Sequence, residues 1–211
     1  MTDSEPAALG GEPERSPADR AIDALLALTA GKGWRHVALA DVAAEAGLTL
    51  PELYRLFQSK SEMLARFVRR VDEAALAERQ PGERRSAEGS TRDRLFDLLM
   101  RRFDVLKPHR AALREIARAA PADCTLLFCL GPRVLNAMRW TADAAGIDTA
   151  GLFGALRIRA VAAAYLWAWR SFLDDESEDM SATMAALDKA LERCEMLANS
   201  FDRPRRRPDA A

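Results

Sequence analysis

A chain of 211 residues, 49% of them hydrophobic, is long enough for one large or two small domains with a real core. Its net charge of −1 excludes a protein that is basic throughout. The three cysteines (Cys124, Cys129 and Cys194) form no CxxC pair and His36 and His109 stand far apart, so neither a disulfide framework nor a metal site is expected, and the thiols read as buried and reduced in a cytoplasmic protein.

Alanine, leucine and arginine are abundant and strand-forming runs are scarce, which predicts an all-α fold. Residues 1–16, acidic and proline-rich, read as a disordered tail with no signal peptide, and no apolar run is expected to reach bilayer-spanning length. Ser16 and Pro17 then open a helix, as cap and first helical residue, with Ile22, Leu25, Leu26 and Thr29 on one face. Gly31 and Gly33 end it, and Trp34 and Val37 plug the core of a small domain.

From Gly33 to Leu64 the small and apolar residues Val42, Ala43, Ala46, Leu48, Leu53 and Phe57 are spaced for two short helices that cross. Gly47 supplies the turn between them, where φ > 0 is needed. Thr49 with Glu52, and again Ser59 with Glu62, are capping-box pairs that open a second short helix and then a longer one at Lys60. Helix, glycine turn, short helix and capped long helix outline a helix-turn-helix module.

Val42-Ala43, Ala46-Gly47-Leu48-Thr49, Leu53-Tyr54, Phe57, Lys60 and Leu64 resemble the DNA-binding region of the TetR family of transcriptional regulators. Arg20, Ile22 and Gly33-Trp34 match the same pattern, which covers about residues 18–66. The resemblance implies a TetR-like fold: a three-helix helix-turn-helix domain (residues 17–66, its last helix continuing to 79) and a C-terminal helical ligand-binding and dimerisation domain. It implies a homodimer that binds a palindromic DNA operator under the control of a small apolar ligand. The residues left to touch DNA are Thr49, Tyr54, Arg55 and Lys60. The sequence departs from the family where Val37, Ala38 and Ala40, Leu50-Pro51-Glu52, and Leu56 stand in place of hydroxyl, cationic or aromatic groups that face DNA. Phosphate neutralisation dominates duplex affinity, so these departures predict weak binding. The local charge agrees, because Arg20, Lys32, Arg35, Arg55 and Lys60 are offset by Asp19, Asp23, Asp41, Glu45 and Glu52.

Residues 80–89 (QPGERRSAEG) read as a linker to a domain over 90–201. Ser90-Thr91 caps a helix with Leu95, Leu98, Leu99, Phe103 and Leu106 on its apolar face, stopped near Lys107-Pro108. Another runs to Ala120. Cys124 to Leu130 reads as a short helix broken at Gly131-Pro132, and a separate helix follows to Gly146. Thr149 to Leu173 is apolar nearly all round, which predicts burial against several neighbours. After an acidic loop over 174–179, Met184, Leu187, Leu191, Cys194 and Ala198 form a narrow seam on the last helix. Residues 202–211 are a basic tail, read as solvated, with peripheral contact to anionic lipid or nucleic acid as the alternative.

The C-terminal part, roughly residues 90–200, carries a second resemblance. Leu98 to Asp104, Pro108-His109-Arg110 and Trp169 to Asp179, with Thr183 and Leu187-Asp188, are similar to the lipid-binding accessory proteins of ubiquinone biosynthesis, themselves built on the TetR fold. That similarity implies a dimer holding isoprenoid lipid, with a vestigial DNA-binding helix. On either reading Met100, Phe103, Trp140, Phe153, Tyr165 and Trp169 are the candidate pocket residues, though such aromatics equally suit a core or dimer interface. No nucleophile–base pair is visible, so no catalytic residue, cofactor or enzymatic activity is expected.

Overall fold

Ser16 Oγ accepts the N–H of Asp19 and Pro17 follows it, so the first helix starts where its first free N–H groups find a partner. The computed structural model describes residues 15–77 and 89–202. Among these the regular structure is entirely helical: α1 (Pro17–Lys32), α2 (Leu39–Glu45), α3 (Leu50–Leu56), α4 (Lys60–Ala77), α5 (Thr91–Leu106), α6 (Arg110–Ala119), α7 (Cys124–Ala144), α8 (Gly151–Asp174) and α9 (Ser181–Asp202). The expectations for residues 1–14, 78–88 (including the end of the helix expected to continue to 79) and 203–211 lie outside the described residues.

The first three helices and the start of α4 form the head. Ile22, Leu25 and Leu26 of α1, Val42 and Ala43 of α2, Leu53 of α3 and Leu64 and Phe67 of α4 close one core, with Trp34 and Val37 buried at its top. Gly47 turns between α2 and α3 at φ 65°, a conformation that favours glycine. Both halves of the Thr49–Glu52 capping box form. At α4, Ser59 Oγ accepts the Glu62 N–H at 3.1 Å, but the Glu62 carboxylate reaches Gln58 N–H at 2.7 Å rather than that of Ser59.

The second half of α4 leaves the head and packs against α5 and α7, so one helix serves both regions. Leu98, Leu99, Phe103 and Leu106 of α5, Met138 and Ala142 of α7, Val161, Tyr165 and Phe172 of α8 and Leu187 and Leu191 of α9 fill the body's core. Head and body are also clasped elsewhere. Helix α1 lies along α6, the Trp34 indole N–H donates to Asp123 at 3.3 Å, and Phe67 meets the His109 ring edge-on at 5.1 Å.

Four sequence expectations change here. Helix α7 runs unbroken through Pro132. Leu126 before the proline and Ala137, Met138 and Ala142 after it are all buried, and packing on α4 and α8 offsets the roughly 3 kcal/mol that an interior proline costs. Helix α8 is buried on one side only, with Leu152, Phe153, Leu156, Leu166 and Trp167 exposed on the rest. By length and composition it is also apolar enough to cross a bilayer, contrary to the expectation from the sequence, yet in this fold its buried side packs on α6, α7 and α9. The thiols are not all buried: Cys124 is exposed, and Cys129 and Cys194 are half-buried.

The acidic loop before α9 is built around Asp175, which is buried and accepts the Thr183 N–H at 2.8 Å and its hydroxyl at 2.7 Å. Burial by itself would raise the Asp175 carboxyl. Hydrogen bonds from Ser177 and Thr183 outweigh it and hold the group down at about 2. Of the α9 seam, Leu187 and Leu191 are buried and Met184 and Cys194 half-buried, while Ala198 lies beyond the described side chains.

Candidate nucleic-acid interface and ligand cavity

Helix α3 presents Leu50, Pro51, Glu52, Tyr54, Arg55 and Leu56 to solvent while Leu53 anchors it from below. Tyr54 is the most exposed large hydrophobic side chain of the head, at 71%. The Arg55 guanidinium is exposed, and no hydrogen bond or ion pair holds it among the described residues. Arg35, on the turn entering α2, is likewise exposed and unpaired there. It was counted in the sequence only as part of the charge balance, because pairing depends on distant carboxylates that periodicity does not locate.

Three other cations of the head, Lys60, Arg20 and Lys32, are engaged by groups of the head itself. Lys60 Nζ donates to the carbonyls of Trp34 and Val37, each at 2.8 Å, and lies 4.9 Å from the Trp34 ring. Burial pushes its ammonium below the usual lysine range, partly countered by Asp123. Arg20 Nε donates to the Ala46 carbonyl at 3.3 Å, and Lys32 pairs with Asp41 at 3.2 Å. Thr49 Oγ1 donates to Glu52 at 2.7 Å and receives its N–H at 3.4 Å. The Glu52 carboxyl is lowered chiefly by the Thr49 N–H, then by its hydroxyl, so it stays ionised at the mouth of the recognition helix. Of the three positions before and in α2 that the sequence assigned to the DNA side, Ala38 and Ala40 are exposed but Val37 is core.

In the body, the six candidate pocket residues do not share one cavity. Phe103 and Tyr165 stack at 5.2 Å and, with Phe172 and Trp169, make a closed aromatic cluster between α5 and α8. Met100 is half-buried against this core, and Phe153 is 73% exposed on the free side of α8. Trp140 borders an open cavity of about 490 Å³ between α4, α5 and α7, walled by Leu76, Leu98 and Ala137 and by the polar groups of Asp72, Arg102 and Asn136. Arg102 is the member that pattern reading missed. It sits on the buried side of α5, donates Nε to the Tyr165 hydroxyl at 3.2 Å, and pairs through Nη1 with Asp72 of α4.

Residues 21–67 match the family described as bacterial regulatory proteins, tetR family. The whole fold is similar to that of a TetR transcriptional regulator from Nitrosomonas europaea ATCC 19718, at 24% identity over 85% of this chain and 98% of that one, with a TM-score of 0.68. It is similar also to a TetR transcriptional regulator from Rhodococcus sp. RHA1 (24% identity, 86% and 97% covered, TM-score 0.60). A tetR-family transcriptional regulator from Streptomyces coelicolor shares 17% identity over 92% of this chain and 85% of that one, with a TM-score of 0.60. No curated protein sequence matches. The chain therefore carries a TetR-family N-terminal domain on a TetR-like fold, as the head motif implied. The similarity of the body to the accessory proteins of ubiquinone biosynthesis finds no support in these comparisons.

Proposed function

We propose, from a chain that carries a TetR-family head on a TetR-like fold, that it is a DNA-binding transcriptional regulator whose DNA affinity a small apolar ligand controls. The observation that carries this reading is the head itself: α2, the Gly47 turn and α3 make the two-helix geometry that enters a major groove, with Tyr54 and Arg55 on the outer face. Arg55 and Tyr54 are the donors that reach phosphate or base edges, and Arg35 adds a charge at the entry to α2. Lys60 and Thr49, named with them from the sequence, act by positioning: Lys60 ties the Trp34–Val37 turn to α4 and Thr49 caps the recognition helix, since their polar atoms already have partners. So small a set of phosphate contacts gives modest affinity, on the order of micromolar at physiological salt, with a shallow salt slope of about one unit per contact.

The regulator works as a cytoplasmic homodimer joined through α8 and α9. Leu152, Leu156, Leu166 and Trp167 run along one exposed side of α8, a stripe that a second copy would cover in a four-helix interface. Two heads then meet two half-sites, and a ligand acts by favouring one head spacing over another. The test is a mobility-shift titration against the DNA upstream of the protein's own gene, at two salt concentrations, beside sedimentation of the free protein. A salt-sensitive complex on one fragment and a dimer at micromolar concentration are expected. A monomer, or binding indifferent to sequence at low salt, would overturn the reading.

A further inference from the structure

The cavity beside Trp140 is lined mostly by hydrocarbon, yet its wall holds two ion pairs of unlike character. Arg69 and Glu73 pair at 2.8 Å with both side chains well exposed. Arg102 and Asp72 pair deeper, the arginine side chain 5% exposed and the aspartate 24%. Nε of Arg102 is engaged by Tyr165 and Nη1 by Asp72, while Nη2 has no hydrogen-bond partner among the described residues. A guanidinium cannot shed its charge, and its fixed fork of donors suits a carboxylate held through two parallel bonds.

The unequal exposure of the two partners decides which ligand charge fits. A cationic ligand would have to draw Asp72 away from Arg102 and leave a buried guanidinium unpaired, which is the costly way to break such a pair. An anionic ligand does the reverse. It replaces Asp72 at Arg102, and the aspartate, nearer to water, is released to be solvated. The Trp140 face, Leu76, Leu98 and Ala137 offer the apolar wall for the rest of the molecule. We infer that the cavity takes an amphipathic carboxylate, with its carboxyl on Arg102 and its hydrocarbon along Trp140. The inference rests on the ligand-controlled reading above and adds its chemistry and its lever. The Asp72–Arg102 pair ties α4, which carries the head, to α5, so ligand and tie compete for one guanidinium and each weakens the other.

The experiment is calorimetric titration of the full chain with decanoate, decanol and decyltrimethylammonium below their micelle-forming concentrations. Decanoate is expected to bind about tenfold or more tightly than decanol, the margin of a hydrogen-bonded charge pair. Asp72→Asn, which frees Arg102 at a partly exposed position, should tighten decanoate about tenfold and leave decanol unchanged, and Arg102→Met should abolish the difference between acid and alcohol. Should Arg102→Met not fold, Asp72→Asn decides alone. Equal binding of acid and alcohol, preference for the ammonium, or an Asp72→Asn variant that binds decanoate no better would each overturn the carboxylate assignment while leaving an apolar cavity in place. Binding of none of the three overturns the ligand-controlled reading itself.

Discussion

The head and the body use opposite resources. In the head, polar groups that a DNA-binding surface would display are engaged within the fold: Lys60 holds two carbonyls, Arg20 holds a third, and the exposed Thr49 and Glu52 satisfy one another. In the body, apolar groups that a core would hide are turned outward along α8, with Leu152 84% exposed. A surface poor in free donors loses affinity for a polyanion, whereas a surface rich in uncovered hydrocarbon gains affinity for another apolar face. On the function proposed above, the contrast would put the strong association in the body and make the head a weak reader that depends on being doubled.

The sharpest way to break this comparison is Lys60→Ala. Two charge-assisted hydrogen bonds across the head disappear, and a loss of about 3 kcal/mol is expected in thermal or urea unfolding, with the damage confined to the head. An unaltered unfolding midpoint combined with a salt slope lower by about one unit would instead make Lys60 a phosphate contact.

Next in size is Gly154→Ala in the body. A Cβ there would lie 2.2 Å from the Thr149 carbonyl carbon, so the start of α8 must shift, at a cost of about 2 kcal/mol or more. Because α8 also carries the exposed stripe, sedimentation of this variant should show weaker dimerisation than an equally destabilised head variant.

Acid tests the loop that joins α8 to α9. Asp175 is depressed to about 2 in the folded chain against 3.8 as its ordinary value, so its stabilisation is complete above the ordinary value and is lost as pH falls toward 2. On the order of 2 kcal/mol is at stake. Asp175→Asn should flatten the fall in stability over that window, as followed by urea titration at a series of pH values.

The smallest effect on folding is expected from Arg55→Ala, within about 0.5 kcal/mol of the parent, because the side chain is exposed and no hydrogen bond or ion pair holds it among the described residues. Its effect on DNA should be larger, a drop of about one unit in the salt slope. Paired with Lys60→Ala, it separates a residue that touches DNA from one that positions the residues that do.

Much of the head was legible in the sequence because its signals are local. A cap sees a donor three residues away, a glycine turn needs only its own φ, and a helical face repeats every three or four residues, so Ser16, Thr49, Gly47 and the run from Ile22 to Thr29 spoke for themselves. What local pattern misjudged was competition over distance. Pro132 marks a break by local rules, yet burial on both sides carries α7 through it. Lys60 resembles a phosphate ligand by position, yet carbonyls 26 and 23 residues away claim its ammonium. Arg102 and Asp72 are 30 residues apart, and neither stands out in a chain rich in arginine and acid.

The sequence by itself determined that the chain is all helical, where most of its helices begin, and that its first quarter forms a helix-turn-helix head. Those outcomes follow from backbone hydrogen bonds and periodic burial, which are decided within a turn or two of helix. Only the tertiary structure decided which cations stay free, which face of α8 lies open, and that a buried arginine stands at the wall of the Trp140 cavity. A charge finds its partner, and an apolar face its cover, only when segments far apart in the chain are brought together, and no local pattern carries that information.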